Sequence, residues 1–209
     1  MNASGPAERP GKIVAVGKNY LDHVREMGGN VPSETPILFM KPPSAVIGDG
    51  DTIVLPGQSD RVDFEGELVA VIGTRIRNAT PGGALAAVRG YRIGNDVTAR
   101  DLQKTDGQWT RAKGFDTFCP LGPIVEGVDV TDVEISTRVN GEVRQQSRTS
   151  CMIRPVGELI SFISSVMTLE PGDAVFTGTP AGVGPLHDGD VVEVAIEGIG
   201  TLRNVVGTA

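Results

Sequence analysis

The sequence predicts a mainly β protein with a few short helices, in the α+β class, and three observations support this prediction. Short runs of apolar or alternating residues recur along the chain, and turns rich in glycine and proline separate them. The 209 residues include 28 glycines and 14 prolines, which suits many short strands better than long helices. Helical periodicity is confined to three or four short segments, so strands should dominate the fold.

Each strand is predicted where a short apolar or alternating run lies between turn residues. Asn140 and Gly141 separate two such runs, and this dipeptide favours the tight turn of a hairpin. In chain order, the predicted strands cover residues 13–16, 37–41, 52–55, 62–72, 91–97, 135–145 as the hairpin, 174–177, 191–196 and 202–206.

Three helices are predicted from helix starts and apolar spacing. Residues 20–27 form the first, and Thr80-Pro81 opens a second that reaches residue 88, because proline is favoured in a first turn. Residues 155–166 carry apolar side chains at a helical spacing and form the third. The polar residues 1–11 are expected to be a disordered tail, which leaves residues 12–209 as a single domain.

Composition excludes several classes of function. The net charge of -7 argues against a nucleic-acid partner, which needs clustered Lys and Arg. No apolar run approaches the length of a membrane span, so no membrane partner is expected. Cys119 and Cys151 fit no metal-ligand spacing, and we interpret both as reduced thiols in a cytoplasmic protein.

Two glutamates in the predicted strand 62–72 are the clearest chemical signal. Glu65 and Glu67 are two positions apart, so in a strand both project from one face. Neighbouring carboxylates repel each other unless a metal ion, an Arg or Lys, or a shared proton lies between them. An all-oxygen pair beside a buried strand fits Mg²⁺, Mn²⁺ or Ca²⁺. An edge strand with a solvated acidic face fits this segment about equally well.

Three aspartates lie close to this pair in the sequence or on the following strand. Asp96 ends a strand that could neighbour the acidic strand, so it is a candidate third ligand. Asp101, beside Arg100 at a helix start, is expected to form an ion pair or cap the helix. Asp63 lies near the strand entry and is expected to be solvated.

The segment 20–27 contains His23 and Glu26, which lie three residues apart and share a helix face. A carboxylate beside an imidazole orients the ring, as a general base requires. A solvated surface pair is the usual alternative for an isolated pair of this kind. Gly17 before the segment and Gly28-Gly29 after it favour a mobile lid.

Two further features are weaker signals. Lys113 is a single cation among small and aromatic residues, and most lysines of this kind are only solvated. The segment 177–180, TGTP, could present amides and hydroxyls to an anion, or could be a tight turn between strands.

Taken in order, a set of longer strings resembles the fumarylacetoacetate hydrolase family, in particular its short single-domain members. The resemblance extends from Gly17 to Val206, and its motifs are specific in combination. The strings are GKNYLDHVREM, FMKP, VDFEGELVAVIG, GNDVTARDLQ, WTRAKGFDTFCPLGP, NGEVRQ, TLEPGDAVFTGTPAGVGP and IEGIGTLRNVV.

This resemblance implies a mixed β-sandwich roll, a homodimer, and a set of site residues. The implied ligands of Mg²⁺ or Mn²⁺ are Glu65, Glu67 and Asp96. The implied acid/base dyad is His23 and Glu26 on a helix that orders over substrate, and the groups near the reacting oxygens are Lys113 and Gln103. The implied substrate contacts are Lys18, Gly178 and Thr179. Two-domain members have a fourth metal carboxylate where this chain has Val16, and a water is expected there instead.

The implied substrate is a small 2-oxo acid, and the family supports three reactions on such compounds. A 2-oxo acid can chelate a hard metal ion through its carboxylate and keto oxygens, which stabilises an enolate. Hydrolysis of a carbon–carbon bond in a short acylpyruvate, such as fumarylpyruvate, is favoured because it makes most use of the complete dyad. Oxaloacetate decarboxylation or tautomerisation, and isomerisation of a hydroxymuconate-type diacid, are the alternatives. A metal-binding protein without activity would not need His23, Glu26 and Lys113 together.

Overall fold

The structure is a computed structural model and describes residues 9–28 and 35–208. Within these residues the chain forms fifteen strands and five α-helices. The strands are β1 (Ile13–Gly17), β2 (Ile37–Lys41), β3 (Val46–Ile47), β4 (Thr52–Leu55), β5 (Val62–Phe64), β6 (Gly66–Ile72), β7 (Val88–Asn95), β8 (Thr98–Ala99), β9 (Cys119–Pro120), β10 (Glu134–Val139), β11 (Glu142–Arg148), β12 (Ala174–Phe176), β13 (Gly184–Pro185), β14 (Val191–Ile196) and β15 (Gly200–Thr208).

The helices are short, as the sequence predicts. Two 3₁₀ turns, Pro43–Ala45 and Thr149–Cys151, complete the regular structure of the described residues. The α-helices are α1 (Leu21–Glu26), α2 (Pro81–Ala86), α3 (Arg100–Thr105), α4 (Thr110–Gly114) and α5 (Val156–Val166). The predicted mainly β fold with short helices is therefore confirmed.

Two five-stranded sheets form the body of the fold. The first has the order β2-β1-β12-β6-β7 and is antiparallel except where β1 pairs with β12. The second has the order β11-β10-β14-β15-β4 and is antiparallel except where β15 pairs with β4. Two smaller sheets have the strand orders β13-β5-β8 and β3-β9.

The largest hydrophobic core lies between the two sheets and under α5. It contains Leu68 and Ile93 from the first sheet, Val194 from the second, and Leu159 and Ile163 from α5. Full burial of each such side chain stabilises the fold by about 1.5–3 kcal/mol. The apolar spacing in residues 155–166 therefore identified the helix face that enters the core.

Strand β6 is buried on both faces. All seven of its residues are buried, because a second core cluster packs Val69 on the side opposite Leu68 and Ala70. This explains why the segment is a continuous apolar run and not an alternating pattern. A strand held on both faces gives the residue that precedes it, Glu65, a rigid attachment.

The predicted strand 62–72 is the main place where the structure differs from the sequence pattern. It divides at Glu65 into β5 and β6, because β5 pairs with β8 and β13 while β6 pairs with β7 and β12 in the first sheet. Thr80 is the N-cap of α2 and accepts a hydrogen bond from the amide of Gly83, as its position before Pro81 predicted. The hairpin over β10 and β11 turns at Asn140 and Gly141, both with positive φ.

Two expectations fall on residues that the structure does not describe. Most of the expected tail, residues 1–8, and Gly29 of the expected hinge lie outside the described residues. Across 9–28 and 35–208, no helix combines the length and apolarity needed to cross a membrane. Cys119 is buried, Cys151 is exposed, and both are free thiols.

We expect Leu159→Ala to lower the free energy of unfolding by about 2–5 kcal/mol, because the side chain is fully buried and its loss leaves a cavity. Leu85→Ala is the matched control, since Leu85 is 48% exposed and should change stability by less than about 0.5 kcal/mol. Chemical denaturation of both variants measures the difference. Equal losses would contradict the assignment of the core.

Candidate metal centre and active site

Three buried carboxylates converge at one end of the first sheet. Glu65 lies between β5 and β6, Glu67 is the second residue of β6, and Asp96 follows β7. Antiparallel pairing of β6 with β7 brings Gly66 opposite Asn95, and the amide of Asp96 donates to the carbonyl of Glu65 at 2.8 Å. One oxygen from each carboxylate lies within 4.8 Å of the other two. The predicted grouping of Glu65, Glu67 and Asp96 is thus what the fold produces.

Gly66 allows the two glutamates to face the same side. A β-carbon at this position would lie 2.3 Å from Thr137 Oγ1 on β10, so only glycine fits against the second sheet. The amide of Glu65 donates to Asn95 Oδ1 at 2.9 Å, which fixes the backbone at the break between the strands. The backbone of this segment is therefore held from both sides.

Two lysines and an arginine neutralise the carboxylates. Lys113 Nζ lies 2.8 Å from Glu65 Oε2 and 2.5 Å from Asp96 Oδ2. Lys41 Nζ donates to Asp96 Oδ1 at 2.6 Å and to the carbonyl of Val97 at 3.2 Å. Arg100 forms ion pairs with both Asp63 and Glu65. An Arg or Lys beside the carboxylates was one of the expectations from the sequence, and the family resemblance placed Lys113 near the reacting oxygens, but Lys41 and Arg100 were not identified as these cations.

The expectation that Asp63 is solvated is wrong. Asp63 is fully buried, and its carboxylate accepts hydrogen bonds from Arg61 Nε at 2.8 Å and Arg100 Nε at 2.9 Å. These two guanidinium groups offset the cost of burying the charge. Asp101 was expected to form an ion pair or cap the helix, but its carboxylate instead accepts from Ser59 Oγ at 2.6 Å and the amide of Asp60 at 3.0 Å, and the N-cap of α3 is Ala99.

The carboxylates differ in their electrostatic environments. Burial alone would raise the pKa of Glu65, but Lys113 and Arg100 hold it well below its usual value. Burial, together with the carboxylates of Asp96 and Glu65, raises the pKa of Glu67 well above its usual value. Burial disfavours the charged form of Lys113, but Asp96 and Glu65 outweigh this and raise its pKa. The cluster therefore favours one protonated carboxyl, Glu67, beside charged neighbours.

This oxygen-only donor set fits a hard divalent ion. Mg²⁺ and Mn²⁺ prefer carboxylate oxygens as ligands, and water or substrate commonly fills several of their coordination positions. Glu65 is 5% exposed, Glu67 1% and Asp96 0%, which excludes the alternative of a solvated acidic edge. The triad is thus capable of binding a metal ion.

Helix α1 carries the predicted dyad. His23 Nδ1 lies 3.3 Å from Glu26 Oε2, and His23 is buried while Glu26 is at the surface. Glu26 also accepts the amide of Gly182 at 3.0 Å and 3.2 Å through its two oxygens. The interpretation of the pair as a solvated surface contact is therefore wrong for His23, because α1 turns the imidazole inward.

His23 of the dyad and the carboxylate triad line one cavity of about 150 Å³, and Glu26 contacts His23 from outside that lining. Lys113, Arg100 and Gln103 line it near the carboxylates, while Met27 and Trp109 contribute apolar surface. A larger cavity of about 350 Å³ near Tyr91 contains none of the candidate catalytic or metal-binding residues. The smaller cavity is therefore the candidate active site, because titratable groups with opposed pKa shifts meet there.

The expected substrate contacts occupy different positions around this cavity. Lys18 lines it with a backbone φ of 61°, and Gln103 lines it while accepting from Arg100 at 2.6 Å. Thr179 also lines it, but its hydroxyl donates to the carbonyl of Gly66 at 2.9 Å. Gly178 instead donates its amide to Glu67 Oε2 at 2.7 Å. The segment 177–180 therefore supports the carboxylates as well as bordering the cavity.

Comparison with known proteins gives consistent matches. The family model described as Fumarylacetoacetate (FAA) hydrolase C-terminal matches residues 12–207. The oxaloacetate tautomerase FAHD2A, mitochondrial, of Bos taurus is 45% identical over 214 residues, which cover 96% of this chain and 68% of that protein.

Two solved structures share the fold over nearly the whole chain. The 5-carboxymethyl-2-hydroxymuconate delta-isomerase from Mycobacterium smegmatis is 53% identical with a TM-score of 0.90, covering 96% of this chain and 80% of that one. The fumarylpyruvate hydrolase from Pseudomonas aeruginosa, solved in complex with Mn²⁺ and pyruvate, is 34% identical with a TM-score of 0.90 and covers 100% of both chains.

We expect Glu67→Gln to weaken Mn²⁺ binding by more than about 100-fold. Loss of a residue that only supports a metal ligand typically weakens binding by about 10- to 100-fold, and loss of a ligand itself should cost more. Without metal, the raised pKa of Glu67 means that ionising it costs stability as the pH rises from the unfolded pKa through the folded one. Glutamine stays neutral and keeps an acceptor for Gly178, so the variant should be at least as stable as wild type near pH 8.

Thermal unfolding in chelator at about pH 4.5 and about pH 8, with calorimetric Mn²⁺ titration, measures both effects. The relative stability of Glu67→Gln should increase from the lower to the higher pH. Glu134→Gln, at an exposed position, is the matched control and should change neither quantity. Wild-type Mn²⁺ affinity in Glu67→Gln would contradict the ligand assignment.

Proposed function

Because this chain belongs to the fumarylacetoacetate hydrolase family, we propose that it is a Mg²⁺- or Mn²⁺-dependent enzyme that hydrolyses a carbon–carbon bond in a short acylpyruvate. One observation carries this proposal: His23, whose Nδ1 contacts Glu26, and the three carboxylates line the same small cavity. A base opposite a cation site is the arrangement needed to bring water to a polarised carbonyl.

Glu65, Glu67 and Asp96 are the residues that would hold the ion. When bound, a divalent ion supplies Lewis-acid polarisation of a 2-oxo acid and stabilises negative charge that develops on its oxygens. The protein holds these carboxylates in place through the rigid backbone at Gly66 and through the cations that surround them. Glu67 must lose its proton to become an anionic ligand, which makes metal binding dependent on pH.

His23 is the proposed general base. Its Nδ1 faces Glu26, so Nε2 is the nitrogen available to take a proton from water in the cavity. Glu26 fixes the ring orientation and stabilises the imidazolium that forms when the proton is transferred. The water oxygen would add to the acyl carbonyl carbon and leave with the acyl group as a carboxylic acid when the carbon–carbon bond to the pyruvate unit breaks. The imidazolium can then give its proton to the pyruvate carbon that was released, which restores neutral His23.

The cationic and polar side chains orient the substrate. Arg100 and Lys113 line the cavity beside Glu65, and Lys18 lines it near the dyad. These groups would bind the carboxylate and keto oxygens of a 2-oxo acid and keep its acyl end directed toward His23. Gln103, which is held by Arg100, supplies a neutral amide for the same oxygens.

The cavity size limits the substrate. Its volume of about 150 Å³ is below the range of about 300–1,000 Å³ that is typical for drug-sized ligands. Apolar contacts come from Val16, Phe39, Met27 and Trp109. We therefore propose a substrate with a short acyl chain, and not one that carries a large aromatic group.

Tautomerisation of oxaloacetate is the second candidate, with decarboxylation as a related outcome. It is supported by the 45% identity to the Bos taurus oxaloacetate tautomerase and by the small cavity, which suits a four-carbon diacid. Isomerisation of a hydroxymuconate-type diacid is supported by the 53% identity to the M. smegmatis isomerase. Each reaction moves a proton next to a carbonyl and would use the same dyad.

A substrate screen tests the proposal most directly. The full chain is incubated with short acylpyruvates, oxaloacetate and hydroxymuconate-type diacids, with Mg²⁺, Mn²⁺ or chelator, and products are identified. The proposal requires pyruvate and a free carboxylic acid from an acylpyruvate, formed only with metal. Conversion of oxaloacetate alone would transfer the assignment to the tautomerase, and conversion of the diacids alone would transfer it to the isomerase.

We expect His23→Ala to lower kcat/KM for acylpyruvate hydrolysis by about 100- to 10,000-fold, the usual contribution of a general base. Loss of carbon dioxide from oxaloacetate should be less affected, because it needs no activated water. His187→Ala is the matched control, since the other histidine of the chain has a side chain that is 74% exposed. Wild-type hydrolysis by His23→Ala would refute the role of the dyad.

A further inference from the structure

Gln145 is a buried amide with no role in the proposed chemistry, and it bonds to two separate parts of the site. It lies on β11, opposite Thr137 of β10, and is 1% exposed. Its Oε1 accepts the amide of Gly66 at 3.0 Å. Its Nε2 donates to Thr179 Oγ1 and to the carbonyl of Pro180, both at 2.8 Å. The side chain thus joins the backbone between two candidate metal ligands to the turn that follows β12.

The same turn is hydrogen-bonded to helix α1, the segment that its flanking glycines predict to be a mobile lid. Gly182 donates its amide to Glu26 on α1, and a β-carbon on Gly182 would lie 1.9 Å from the carbonyl of Arg144. With its φ of 100°, Gly182 can pass directly over β11 only as glycine. Gln145, at the next position of β11, therefore determines where the turn sits and where the Gly182 amide points.

We propose that Gln145 is a positioning residue that couples the carboxylate strand to the lid. By holding Thr179 and Pro180 against Gly66, it places the Gly182 amide where Glu26 can bind it when α1 closes. The proposal rests on the proposed roles of Glu26 and of the carboxylates. The glutamine amide suits this position because it both accepts and donates, and because a neutral group adds no charge beside the acidic cluster.

The coupling can be measured without substrate. In the full chain, Gln145→Met keeps the side-chain length but removes all three hydrogen bonds. We expect the amides of Gly182 and of residues 21–26 to exchange with solvent about tenfold faster, as the loss of one anchoring hydrogen bond would produce. Mn²⁺ affinity should fall about 10- to 100-fold, as for a supporting residue of a metal site. Gln145 has no hydrogen bond to α1, so a local structural role would not change exchange there.

Gln58→Met is the matched control, because Gln58 is exposed and lines neither the candidate active site nor the cavity beside α1. It should leave α1 exchange and Mn²⁺ affinity unchanged. Unchanged exchange at residues 21–26 in folded Gln145→Met would overturn the proposal. Equally faster exchange throughout β14 and β15 would also overturn it, because only global stability would then have changed.

A second pair of variants tests the connection if Gln145→Met does not fold. Glu26→Ala removes the acceptor for Gly182 and should speed exchange of that amide about tenfold, whereas Glu26→Gln keeps an acceptor and should not. Equal Gly182 exchange in wild type and Glu26→Ala would overturn the proposal. None of these measurements uses substrate, so an inactive protein with the expected exchange pattern would refute the proposed function alone.

Discussion

The burial of several carboxylates in one small region is the constraint on which the rest of the structure depends. Each buried ion costs about several kcal/mol unless an opposite charge and hydrogen bonds compensate it. The acids are Asp63, Glu65, Glu67 and Asp96, and the cations bonded to them are Lys41, Arg61, Lys113 and Arg100. These residues come from strands β2, β5 and β6, from the segments that flank β5 and β7, and from helices α3 and α4, so forming the cluster brings together elements spread over residues 41–113.

The cations divide into two groups with different chemical uses. Lys41 does not line the cavity, and its side chain is fully buried against Asp96 and the carbonyl of Val97. It is a counter-charge that keeps Asp96 oriented. Lys113 and Arg100 do line the cavity, so they can bind an anionic substrate as well as the carboxylates. Glu67 accepts an amide from Gly178 in place of a cation, which leaves it the carboxyl with the raised pKa.

Much of this arrangement was predictable because it follows from local spacing. Side chains two positions apart in a strand lie on one face, which predicted that Glu65 and Glu67 would lie together. Residues three positions apart on a helix are neighbours, which predicted the contact between His23 and Glu26. Asp96 was predictable from the expected pairing of successive strands. The apolar spacing in residues 155–166 likewise gave the buried face of α5.

The missed features depend on contacts between distant parts of the chain. Lys41 reaches Asp96 across 55 positions, and no local pattern distinguishes it from a solvated lysine. Asp63 was assigned to solvent because it lies near the strand entry, and its contacts with Arg61 and with Arg100 of α3 were not foreseen. The division of the strand at Glu65 has the same origin, since it follows from pairing with β8 and β13.

The most direct test of this account is anomalous diffraction from crystals of the full chain grown with Mn²⁺. The account predicts a manganese peak about 2.0–2.3 Å from one oxygen each of Glu65, Glu67 and Asp96, with His23 facing it across the cavity. A peak elsewhere, or none at saturating Mn²⁺ with Lys113 still bridging Glu65 and Asp96, would contradict the claim that these three carboxylates form the metal centre.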